Sequence, residues 1–181
     1  MYAKCSACPS SCRKVFQSVC PLPMKFAEDK EPMSGGTIYF APAAYHLLIE
    51  SHRSFALSAD PPVLFSRPSI DVLFESASAA LSQRVLAVLL TGASADGAAG
   101  MHAIAAAGGV TVVQTPQSAE ATAMPVAALS RFSPSHVLAP PEIASLLGKL
   151  TVRPSVAGMT NLACMSAKEE NSRMTSGTDN D

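Results

Sequence analysis

The sequence predicts an α/β fold: a mostly parallel, doubly wound sheet with helices on both faces and an antiparallel hairpin. Residues 85–90 and 110–114 are short β-rich runs on either side of a small-residue helical stretch, which makes a βαβ unit. Strand-like and helical patterns alternate through the middle of the chain, as in parallel sheets joined by right-handed crossovers. Residues 46–50 and 54–58 flank a short polar turn and read as the hairpin.

Composition supports one domain with a real core, since 48% of the 181 residues are hydrophobic and 15% are charged. Thirteen basic residues face 14 acidic ones, so charge gives no case for a nucleic-acid or anionic-membrane partner. The longest apolar runs are about six residues against the ~20 that cross a bilayer, and the N-terminus lacks the apolar core of a secretory signal. The expectation is a soluble cytoplasmic protein without membrane insertion.

Three regions differ in character. Residues 1–21 show no period and hold Cys5, Cys8, Cys12 and Cys20, so they read as an unstructured, cysteine-rich leader. Cys5-x-x-Cys8 has a spacing that can ligate zinc, but Cys12 and Cys20 do not form a second paired knuckle, and neither a metal nor another cofactor is expected. Residues 22–150 carry the domain. Residues 151–181 are polar and aperiodic, and read as a disordered tail.

Within the domain, residues 22–26 are extended, and Gly35-Gly36 releases a strand over 37–41 before the hairpin. Ser69 is placed to cap a helix in which Asp71 complements the dipole, and Ile70, Leu73, Phe74, Ala77 and Leu81 form an apolar stripe expected to lie on the sheet. The βαβ helix over 98–107 ends at Gly108-Gly109, a suitable left-handed cap. Two short helices are expected over 118–123 and 125–130, because Pro125 fits best in a first turn. A strand at 136–138 and a last amphipathic helix from Pro140 complete the domain.

Asp96 is the most informative residue, a lone acid among glycines where a strand gives way to a helix. Gly92-Ala93-Ser94-Ala95-Asp96 nearly spells the nucleophile elbow of esterases, but an aspartate replaces its last glycine, where the tight turn needs freedom. Gly92, Gly97 and Gly100 suggest a phosphate loop, but their spacing fits neither common nucleotide fingerprint. Asp96 could also orient a histidine in a catalytic triad. Local sequence alone favours a simpler role, capping the alanine-rich helix that follows.

The combined pattern resembles a known family. Ala27-Glu28-Asp29, residues 36–42 (Gly-Thr-Ile-Tyr-Phe-Ala-Pro), His46-Leu47, Arg67-Pro68-Ser69-Ile70-Asp71, Leu90-Thr91-Gly92 with Asp96-Gly97-Ala98-Ala99-Gly100, and Met124-Pro125 are similar, in order and spacing, to the catalytic domain of CheB-type chemotaxis receptor methylesterases. The resemblance runs from about Leu22 to Leu150. It implies hydrolysis of glutamyl methyl esters on the cytoplasmic domains of methylated chemoreceptors, glutamine deamidation, no cofactor, and a Ser-His-Asp triad whose acid maps onto Asp96.

The family places its serine in a glycine-rich loop after the first strand and its histidine after the next strand, both upstream of the matched region. No Gly-x-Ser-x-Gly-Gly occurs in this sequence, and Ala93 and Ser94 stand where the family usually has methionine and glycine. His46, His52, His102 and His136 do not occupy the triad position, and surface or packing duty is expected of each. The expectation is a truncated or frame-shifted methylesterase domain, lacking the first family strands and inactive as written. The alternative is a noncatalytic receptor-binding module.

Overall fold

The computed structural model describes residues 2–3 and 20–149. Its strands are β1 (Tyr2–Ala3), β2 (Met24–Phe26), β3 (Ile38–Phe40), β4 (His46–Ile49), β5 (Phe55–Ser58), β6 (Leu86–Leu89), β7 (Val110–Gln114) and β8 (His136–Leu138). Its α-helices are α1 (Ile70–Leu81), α2 (Ala98–Ala106), α3 (Ala123–Arg131) and α4 (Pro140–Gly148). Strands β1, β3 and β2 form one parallel sheet in that order, and β6, β7 and β8 form another. The β4–β5 hairpin is antiparallel, with Leu47 opposite Leu57 and Ile49 opposite Phe55.

The βαβ unit forms as expected, with Leu86 beside Val110 and Leu89 beside Val113. Thr111, Val112, Val113 and Gln114 are all buried. Since neighbouring side chains point to opposite faces, the middle strand β7 is covered on both sides. Gly108 ends the unit's helix with φ of +80°, a conformation that a side chain disfavours. No helix among the described residues is long and apolar enough to cross a membrane.

The structure departs from two expectations and leaves others outside the described residues. Tyr2 and Ala3, inside the stretch read as an unstructured leader, pair in parallel with Tyr39 and Phe40 of β3. Cys5, Cys8, Cys12, Cys164, Leu150 and the expected tail lie outside the described residues. The segment 118–123 is not a helix: a 3-10 turn covers Pro116–Ser118, and α3 starts at Ala123, with Pro125 in its first turn. The backbone of Ala121 instead bonds to another loop, its N–H donating to Thr91 Oγ1 at 2.8 Å and its carbonyl accepting from Gly92 N at 3.1 Å. Those groups are then lost to a helical ladder.

The α1 stripe packs on β4 and α2 and, through Ile70 and Leu73, reaches residues of the parallel strands β3, β6 and β7. Leu73 joins Ala27, Tyr39, Leu47 and Phe55 in one core cluster. Ile70 joins a second with Leu89, Met101, Ile104, Val113 and Met124, and Phe74 packs against both. Helical spacing defines an apolar face; it does not say what that face meets. Burying a side chain such as Leu73 contributes about 1.5–3 kcal/mol, so α1 is held firmly between the two clusters.

Gly100 lets α1 and α2 approach closely. A Cβ at this position would lie 2.5 Å from Phe74 Cβ and 3.1 Å from both the Cα and the carbonyl oxygen of Asp71. Gly100→Ala is therefore expected to destabilise the fold by about 1–2 kcal/mol, because overpacking outweighs the ~1 kcal/mol that alanine gains in a helix. A lower urea midpoint at unchanged slope is the expected readout, and a higher midpoint would show slack between the helices.

Candidate active site

Chain direction places the loop 90–97 beyond the carboxyl end of β6, where open α/β sheets carry their working groups. Its first residues are stitched to two neighbours. Thr91 N donates to Gln114 Oε1 at 2.8 Å, and the Gln114 amide donates in turn to the Ser118 carbonyl at 2.9 Å. Met124 N donates to the Gly92 carbonyl at 2.9 Å. A Cβ on Gly92 would fall 2.5 Å from Met124 Cε, so the methionine closes over a position where a side chain is absent.

Asp96 is fully buried at the far end of this loop. Its Oδ1 accepts from the Ser69 hydroxyl at 2.6 Å and from Asp71 N at 3.0 Å, and its Oδ2 accepts from Ile70 N at 2.9 Å. Asp96 is thus a helix cap, but of α1 rather than of its own helix, which corrects the local expectation. The first amides of α1 have no partner within the helix, so an incoming carboxylate both satisfies donors and meets the positive end of the dipole.

Asp71 makes the reverse connection. From the first turn of α1 its Oδ1 accepts from Gly97 N at 2.9 Å and Gly100 N at 2.8 Å, at the start of α2. It stands in the first turn of its own helix, as expected for complementing that dipole, and caps the neighbour as well. Burial pushes the Asp71 carboxyl above its ordinary range, opposed by the Gly100 amide, with the Asp96 charge raising it further and the Gly97 and Ala99 amides lowering it.

This exchange decides two readings of the loop. A phosphate site would need the free amides at the start of α2, and Asp71 already occupies them. Ser94 is no exposed elbow nucleophile: its Oγ accepts from Asp96 N at 3.2 Å, and among the described residues no hydrogen bond joins it to a histidine. No group of three or more His, Cys, Asp or Glu among the described residues is arranged to hold a metal.

The histidines have separate surroundings. His46 is buried in β4; its Nδ1 accepts from Ser69 N at 3.2 Å, and its Nε2 lies 3.1 Å from the Pro61 carbonyl. His52 is exposed in the hairpin turn beside Ser51. His102 lies near the Phe132 ring, and His136 is an exposed residue of β8. Sequence reasoning missed the hydrogen bonds of Ser69, His46 and Gln114 around this loop. The two motifs that hold the carboxylates were visible, but nothing in the linear order joins residues 69–71 to 96–100.

The CheB methylesterase family model matches residues 5–147. The chain belongs to the CheB methylesterase family. The match starts inside the stretch read as a leader. A Leptospira interrogans protein provisionally named protein-glutamate methylesterase/protein-glutamine glutaminase is 44% identical over 137 residues, covering 76% of this chain and 71% of that protein. Protein-glutamate methylesterase/protein-glutamine glutaminase 1 of Paramagnetospirillum magneticum is 39% identical over 130 residues, covering 70% of this chain but 34% of that protein. The crystal structure of the Thermotoga maritima CheB methylesterase catalytic domain superposes with a TM-score of 0.73 at 26% identity, covering 78% of this chain and 76% of that one.

The raised Asp71 carboxyl has a pH consequence. A group whose folded pKa exceeds its unfolded one binds more protons when folded, so its contribution to stability is fully present below the unfolded pKa and is lost as pH rises through the folded value. On acidification through that window, the wild-type chain is expected to gain stability relative to Asp71→Asn, which keeps an acceptor but does not titrate. Asp71→Ala should cost about 1–3 kcal/mol near neutrality by leaving α2 amides unmet. Parallel stability-versus-pH curves for wild type and Asp71→Asn would contradict the assignment.

Proposed function

We propose that this chain carries the acid-bearing part of a site for glutamyl methyl esters on methylated chemoreceptor cytoplasmic domains, with Asp96 as the triad acid. One observation supports this above the others: Asp96 is a buried carboxylate beyond β6, aimed by three donors from the start of α1. A triad acid holds a histidine in one tautomer and stabilises its cation while a serine attacks the carbonyl. Fixed orientation suits that task, since a misplacement of ~1 Å can cost about 10²-fold in rate. The relatives' names, which pair a glutamate methylesterase with a glutaminase, support acyl transfer at a glutamyl or glutaminyl side chain.

In this reading the 181-residue polypeptide is inactive by itself. Its sequence contains no Gly-x-Ser-x-Gly-Gly nucleophile loop, and Ser94 and the histidines stand in the other roles described above. The exposed tip Leu64-Phe65, in the loop that leads into α1, favours a second reading in which the chain binds a receptor without catalysis.

Incubation of the purified chain with a methylated chemoreceptor cytoplasmic fragment is expected to release no methanol above the buffer rate. Methanol release that disappears in Asp96→Asn would contradict the inactivity. Retention of the receptor fragment without methanol would favour the binding module.

A further inference from the structure

We infer that His46 is a positioning residue for Asp96, acting through Ser69, and that it does so as the neutral tautomer protonated on Nε2. This rests on the reading of Asp96 as the site's acid. The tautomer follows from the two partners. Ser69 N is a donor, so His46 Nδ1 at 3.2 Å must accept; the Pro61 carbonyl is an acceptor, so Nε2 at 3.1 Å must donate. A buried imidazole with these neighbours is neutral, and a protonated Nδ1 would set one donor against another.

The two bonds close a loop. Pro61 and Ser69 stand at the ends of the segment between the hairpin and α1, and His46 on β4 grips the backbone at both. Arg67 adds a clamp further out, donating to the carbonyls of Ala59 at 2.9 Å and Asp60 at 3.1 Å. The segment can therefore deliver Ser69 in one orientation. Ser69 is fully buried and divides its groups between three partners: its N–H goes to His46, its hydroxyl donates to Asp96, and its oxygen accepts from Val72 N at 3.4 Å.

The consequence is directional. Losing the Ser69–His46 bond frees the residue whose hydroxyl makes the shortest of the three bonds from α1 to Asp96, at 2.6 Å. Losing the Pro61–His46 bond frees only the far end of the loop. The two ring nitrogens thus have unequal importance for the carboxylate, which distinguishes positioning from mere filling of space.

Asn and Gln separate the two nitrogens, because the Asn carbonyl oxygen reaches the place of Nδ1 and the Gln amide reaches the place of Nε2. Hydrogen exchange of the full chain, read by mass spectrometry on peptides covering 66–72 and 110–114, provides the test. His46→Gln is expected to speed exchange at residues 69–72 by about tenfold or more, whereas His46→Asn stays within about threefold of wild type; the β7 peptide should not change in either. Nitrogen NMR of the wild-type imidazole should report a protonated Nε2 and a bare Nδ1. Equal effects of the two substitutions, loss of protection in β7 as well, or the opposite tautomer would overturn the inference. None of these readouts depends on ester hydrolysis, so they stand or fall separately from the methanol assay.

Discussion

The fold around the site depends on an exchange of carboxylates between two helix starts. Asp96, from the loop before α2, satisfies the first amides of α1; Asp71, from the first turn of α1, satisfies those of α2. Each helix start is thus met by a carboxylate from its neighbour, which in α1 adds to the cap made by its own Ser69. A buried helix terminus without partners would leave several donors unmet at about 1–3 kcal/mol each, and the exchanged carboxylates let the two helix starts be buried against one another. Gly100 completes the arrangement, since only a residue without a side chain admits Asp71 and Phe74 at this distance.

Two like charges held this close would repel one another, and the raised Asp71 carboxyl records both that repulsion and the loss of water. The amides that surround them offset the cost. The same chemistry serves the functional reading, because a carboxylate fixed by a hydroxyl and two backbone N–H groups cannot turn when charge develops nearby. Stability and orientation therefore come from the same bonds. The loop on the other side, from Thr91 to Gly92, is set independently by Gln114, Ala121 and Met124.

Much of the fold was legible because it rests on local periodicity. The βαβ unit, the hairpin, the glycine stop at Gly108 and the strand at His136–Leu138 all follow from patterns within a dozen residues or so. Asp96 stood out for the same reason, as a lone acid at a strand-to-helix junction. What it bonds to was not legible, since Ser69 and Asp71 lie more than twenty residues away and the pairing is set by how α1 meets α2. The false helix at 118–123 failed for a related reason: Ala121 is a strong helix former, but its backbone is engaged by Thr91 and Gly92. His46 read as packing because its partners are backbone atoms, which a sequence does not distinguish.

A double-mutant cycle across the two carboxylates tests the clamp most directly. Asp71→Ala and Asp96→Ala, made singly and together, would be compared by denaturant unfolding. If each helix start is held by the other, the second substitution costs less once the first has loosened the junction, and a coupling of about 1 kcal/mol or more is expected. Costs that add to within about 0.5 kcal/mol would contradict the clamp and leave two unrelated caps.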